Sequence, residues 1–109
     1  MGVTKTDLFT TEQNEVAVIL KALAHPARIA IMQELAKSRT CICGDLVNEL
    51  GLAQATISQH LRELKNAGLI KGTIEGTSIC YCINSVVWEQ CRAMLDQLFT
   101  AIQANSTCC

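Results

Sequence analysis

The chain predicts a mainly α domain with a β-hairpin wing, a winged helix-turn-helix, on three observations. Apolar residues recur at helical spacing through most of its length. Gly51 and Gly68 interrupt that spacing where two successive helices would stop. A β-branched stretch split by Glu75-Gly76 then follows the second stop.

Taken in order, Val16, Ile19, Leu20 and Leu23 lie on one helical face, with Thr11 or Asn14 available to cap the start. His25-Pro26 ends that helix and opens another, because proline suits a first turn whose N–H has no acceptor. His25 is expected to cap this helix rather than to bind metal. Ile29, Ile31, Met32 and Leu35 carry the apolar pattern on, and the helix is expected to end between Ala36 and Ser38. A short helix from about Gly44 to Leu50 would stop at Gly51, and a longer one from about Gln54 to Ala67 would end at Gly68. Two helices joined by a glycine turn make the motif. In the longer one Ile57, Leu61 and Leu64 sit at core spacing. Leu69 to Ile83 reads as a hairpin turning at Glu75-Gly76. Val87, Cys91, Met94, Leu95, Leu98 and Ile102 then form an apolar stripe over four turns, more than a terminal helix can leave without a partner.

The 109 residues fit one domain, 1–109, with a short tail of about 105–109 expected to be mobile, and half of them are hydrophobic. No run of 18 apolar residues occurs and the first residues lack signal-peptide features, so a cytoplasmic protein without a membrane partner is expected. In that compartment seven cysteines point to metal or redox chemistry rather than a disulfide framework. The net charge of −1 does not separate function classes, since a small DNA reader needs only a local basic surface. No Cys-x-x-Cys beside a βαβ pattern, Gly-rich phosphate loop or nucleophile and base constellation argues for an enzyme.

In a helix-turn-helix the second helix enters the major groove and presents short polar side chains to base edges. Gln54, Thr56, Ser58 and Gln59 fit that role; Gln59 can pair with adenine's donor and acceptor. Arg62, Lys65 and Lys71 would meet phosphates. His60 either packs beneath this helix or touches phosphate, and is counted with the DNA-binding set. A solvated polar face is the competing reading, which the order helix, glycine turn, helix, hairpin disfavours. A protein-binding winged helix is a further alternative. Cys41 and Cys43 stand just ahead of the motif, and thiolates at i and i+2 converge on one thiophilic ion if the chain is extended there.

Leu23-Ala24-His25-Pro26-Ala27-Arg28-Ile29, Ile57-Ser58-Gln59-His60-Leu61 and Ala67-Gly68-Leu69-Ile70 resemble the ArsR/SmtB family of metal-responsive repressors, over roughly Val16 to Ile102. The resemblance implies a winged-helix homodimer joined through its first and last helices. It also implies repression by binding double-stranded operator DNA, release by an inducer, and no catalytic cofactor. Cys41 and Cys43 match the Cys-x-Cys of the family's arsenite and cadmium sensors, which lies at the start of the helix before the recognition helix. Arsenite or antimonite is therefore the implied inducer. The best-known arsenite pattern has another cysteine where Leu46 stands here, so the third thiolate must come from elsewhere. Cys108 and Cys109 are preferred; Cys80 and Cys82, on one strand face, are the alternative, although packing is the favoured reading of that pair. Cys91 reads as core or interface. No histidine follows His60, so the family's last-helix zinc site is not matched. A rival signal within the family is a persulfide or oxidant acting on Cys41 or Cys43 with Cys108 or Cys109.

Overall fold

The computed structural model describes residues 8–38, 42–43, 50–75 and 78–105. In chain order these form α1 (Thr11–Leu23), α2 (Pro26–Lys37), β1 (Ile42–Cys43), α3 (Gln54–Asn66), β2 (Ile70–Glu75), β3 (Ser78–Ile83) and α4 (Ser85–Ala104). The mainly helical winged architecture follows the sequence expectation. Of the short helix expected before Gly51, only the helical residue Leu50 lies among the described residues. The turn at Gly76 and the tail beyond Asn105 lie outside them.

The helix ends follow local chemistry. The cap of α1 is Thr10, one residue ahead of the expected Thr11. Its hydroxyl accepts from the Gln13 N–H at 3.0 Å while the Gln13 amide oxygen accepts from the Thr10 N–H at 2.9 Å, a reciprocal pair that uses two otherwise unmet donors. At α2 the His25 Nδ1 accepts from the Ala27 N–H at 3.0 Å, with Pro26 in the first turn, as expected. Helix α3 closes with Leu69 N–H donating to the Leu64 carbonyl and Gly68 N–H to that of Lys65. This closure needs a left-handed residue after the cap, and Gly68 has φ +84°.

The wing is larger than a hairpin. β2 and β3 pair antiparallel from Ile70↔Ile83 to Glu75↔Ser78, and β1 adds to the far edge of β3, giving the order β1-β3-β2. The resemblance placed the Cys-x-Cys at the start of a helix; Ile42–Cys43 is instead a strand, held by pairing with Tyr81 and Cys80. The core lies between the helices and the inner face of this sheet. Ile19, Ile31, Leu35, Ile57, Leu61, Leu64 and Leu69 form its centre, with Tyr81, Ile83 and Trp88 packed against it. Trp88 Nε1 donates to the Leu69 carbonyl at 3.0 Å, which fixes the first turn of α4 to the base of the wing.

Among the described residues no helix is long and apolar enough to cross a membrane.

Candidate nucleic-acid interface and thiol positions

Helix α3 separates its faces as its sequence spacing requires. Ile57, His60, Leu61 and Leu64 are buried, whereas Gln54, Thr56, Ser58, Gln59, Arg62 and Lys65 are exposed. On that outer face Arg62 Nη1 donates to the Gln59 Oε1 at 3.4 Å and Gln59 Nε2 donates to the Glu63 Oε1 at 3.3 Å. This chain holds the Gln59 amide by weak bonds that a better-placed partner can replace. Lys71, on β2, is also exposed.

His60 stands apart from the rest of the DNA-binding set. Only 8% of it is exposed, and its Nδ1 accepts a hydrogen bond from Arg28 Nε at 3.1 Å. Burial, then the nearby His25 and Arg28 charges, hold its pKa below the usual 6.5. The His25 ring lies 4.5 Å away, centroid to centroid. A neutral His60 therefore accepts from Arg28 and supports α3 from beneath, the packing option of the two open from sequence.

Arg28 is the positioning residue that sequence reasoning passed over. Besides His60 it donates from Nη1 to the Ala22 carbonyl at 3.1 Å, so a single guanidinium links the end of α1, the first turn of α2 and the middle of α3. The signal available in the sequence was its place in His25-Pro26-Ala27-Arg28, but its partner lies 32 residues away.

The cysteines divide sharply. Cys91 is a free, buried thiol whose pKa burial pushes up, the behaviour of an inert core residue. Cys80 and Cys82 are disulfide-bonded. Cys43 lies on β1 directly opposite Cys80. Cys41, Cys108 and Cys109 are outside the described residues. Among the described residues no three His, Cys, Asp or Glu side chains gather as a metal cluster.

Helices α1 and α4 leave apolar side chains in water: Val18 and Leu20 on α1, and Leu98, Phe99 and Ile102 on the outer half of α4. Cys91, Met94 and Leu95, one to two turns earlier on the expected stripe, are buried or half-buried.

Residues 25–71 match the model of a family described as bacterial regulatory protein, arsR family. The HTH-type transcriptional repressor SmtB of Mycobacterium tuberculosis is 43% identical over 63 residues, 58% of this chain and 46% of that protein, so the matched stretch spans about half that relative's length. A Staphylococcus aureus protein named as a homolog of the cadmium resistance transcriptional regulatory protein CadC is 32% identical over 96 residues, 87% of this chain and 76% of that one. Among solved structures, an ArsR-like transcriptional regulator from Rhodococcus sp. RHA1 superposes with TM-score 0.74 at 20% identity, over 90% of this chain and 92% of that one. At that identity the likeness speaks for the fold alone.

Proposed function

The chain belongs to the ArsR family of bacterial regulatory proteins, and from that premise we propose that it is a cytoplasmic repressor that binds operator DNA as a homodimer and releases it when a thiophilic ion takes its cysteine thiolates. The observation that carries the DNA-binding reading is the outer face of α3. Gln54, Thr56, Ser58, Gln59 and Arg62 share one exposed polar surface on a helix whose opposite face is fully engaged. Gln59 pairs with a base; Thr56 and Ser58 bond bases or phosphates; Arg62, Lys65 and Lys71 bind phosphates. His60 acts from beneath, through Arg28, and sets the tilt of the helix.

Two-fold pairing through α1 and α4 satisfies the exposed Val18, Leu20, Leu98, Phe99 and Ile102. It also sets two copies of α3 against half-sites about 34 Å apart, one turn of duplex. The inducer is arsenite or antimonite, and Cys41 and Cys43 are its first ligands. Trivalent arsenic needs a third thiolate, for which the tail pair Cys108 and Cys109 competes with the wing pair Cys80 and Cys82. The relative named for cadmium resistance supports a soft-ion signal within the family. Ion binding at the segment leading into the helix-turn-helix alters the spacing of the two α3 helices, and typical couplings of about 1–3 kcal/mol weaken DNA binding about 5–150-fold.

Fluorescence anisotropy tests this on a duplex from upstream of the protein's own gene, with reduced protein under anaerobic conditions at fixed salt. Tight binding without ion and release on adding arsenite are expected, with Cys41→Ser and Cys43→Ser keeping DNA binding but losing release. No binding without ion, or normal release by the double variant, contradicts the reading.

A further inference from the structure

The fold gathers both histidines of the chain and Arg28 at one point beneath α3. His60 lies on the buried face of α3, His25 caps α2, and their ring centroids are 4.5 Å apart. Arg28 Nε donates to His60 Nδ1 at 3.1 Å, while Nη1 of the same guanidinium donates to the Ala22 carbonyl at 3.1 Å. Gln59, proposed above to read a base, is the residue next to His60 on α3.

The bond from Arg28 fixes the state of the ring. A guanidinium has donors only, so Nδ1 must offer a lone pair and the neutral ring carries its hydrogen on Nε2. A proton added at Nδ1 turns that acceptor into a second donor. An N–H then faces an N–H across the same gap, two like charges stand where a hydrogen bond stood, and this tie between α2 and α3 is lost. His25 is exposed to the same chemistry, because its Nδ1 accepts from the Ala27 N–H at 3.0 Å and a proton there removes the cap of α2.

The elements packed on α3 are α1, α2 and β2. The start of α2 brings His25 and Arg28, both of which oppose a charge on His60. From α1 comes the Ala22 carbonyl, which Arg28 already occupies. Among the described residues no carboxylate, and no charged group of α1 or β2, acts on the ring. Burial, then His25, then Arg28 hold the pKa of His60 below 6.5.

We propose that His60, Arg28 and His25 form a proton-operated release device beneath the recognition helix: a proton taken up by His60 unseats α3, so acid weakens operator binding independently of the thiols. The proposal rests on the reading of the chain as an operator-binding repressor and gives it a second input, remote from the cysteines. A proton that the free protein accepts and the complex resists competes with DNA. Affinity then falls as pH drops through the folded value of His60, by up to about tenfold per protomer for each pH unit. Bulk electrostatics predicts the reverse, since a protein that gains positive charge in acid is drawn more strongly to phosphate. Weaker binding in acid therefore marks a specific proton site.

Fluorescence anisotropy of the reduced full chain on its operator duplex tests the device, at fixed ionic strength from about pH 7.5 to about pH 5, the range in which histidine changes charge. Binding at least tenfold weaker at the acid end is expected, with circular dichroism unchanged. His60→Asn, whose amide oxygen stands in for Nδ1 and takes no proton, is expected to lose the dependence; the readout is the ratio of its affinities at the two ends, whatever each is. Imidazole nitrogen NMR of the unsubstituted protein gives an independent check, in which the His60 pKa should be lower with duplex bound than without. A His60 pKa unmoved by duplex, an equal fall of affinity in a folded His60→Asn, or a fall that coincides with loss of helix overturns the device. So does affinity that holds or rises while the His60 ring takes up its proton. The repressor reading survives each of these results as long as the duplex is bound at neutral pH. Absence of duplex binding at neutral pH overturns both.

Discussion

Helices α3 and α4 are both amphipathic and both leave one face uncovered, but the uncovered faces have opposite chemistry. On α3 it is Gln54, Thr56, Ser58, Gln59 and Arg62; on the outer half of α4 it is Leu98, Phe99 and Ile102. Water satisfies the first without cost, so its value lies in what it can recognise. Water penalises the second, at about 25 cal/mol for each Å² of apolar surface left exposed, so α4 calls for a protein partner. In the proposed function the first face reads DNA and the second pairs with another copy of the chain.

The strongest way to break this comparison is to give α4 the chemistry of α3. Phe99→Asp with Ile102→Asp should leave a folded monomer by sedimentation velocity. Operator affinity should fall by about 10²–10⁴-fold, because the second half-site is no longer engaged within the same complex. A dimer that persists with normal affinity removes α4 from the interface. The reciprocal change, Gln59→Ala, should leave the dimer intact and cost about 1–3 kcal/mol on the cognate duplex, with less loss on a duplex altered at the contacted base. Anisotropy on the two duplexes reads this directly.

Lys71→Ala should act more weakly and without regard to sequence. It should lower affinity on every duplex and reduce the salt slope by about one for each phosphate that Lys71 neutralises. An unchanged slope places Lys71 away from DNA. The smallest effect at neutral pH belongs to His60. The unfolded chain takes up this proton near 6.5 while the folded chain resists it, so His60 contributes its full share of stability above 6.5. That share is lost as pH falls from 6.5 through the lower folded value. Urea unfolding across that range should show declining stability, with a shallower decline in His60→Gln.

The elements legible in the sequence are those set by local chemistry. Proline and histidine marked the start of α2, Gly68 marked the end of α3, and the spacing of Ile57, Leu61 and Leu64 oriented α3 correctly, because each depends on residues within two turns. The cap at Thr10 was displaced by one residue because Thr10 and Thr11 are chemically equivalent until the partner Gln13 is placed. Strand β1 was not legible: two residues carry no period, and only pairing with Tyr81 and Cys80, almost 40 positions on, makes them a strand. The same non-local pairing hid the relation of Cys43 to Cys80. The contacts of Arg28 with Ala22 and His60 were hidden because only the packed helices bring them together.

The central claim is that the ion and DNA bind the same molecule in opposition, and linkage tests that without any substitution. Arsenite affinity should be measured by competition with a chromophoric dithiol, on free reduced protein and on protein saturated with its operator duplex. The account predicts weaker arsenite binding in the complex by the same factor, about 5–150-fold, by which arsenite weakens DNA binding. Equal arsenite affinities in the two states would contradict it, since an ion that does not distinguish them cannot drive release.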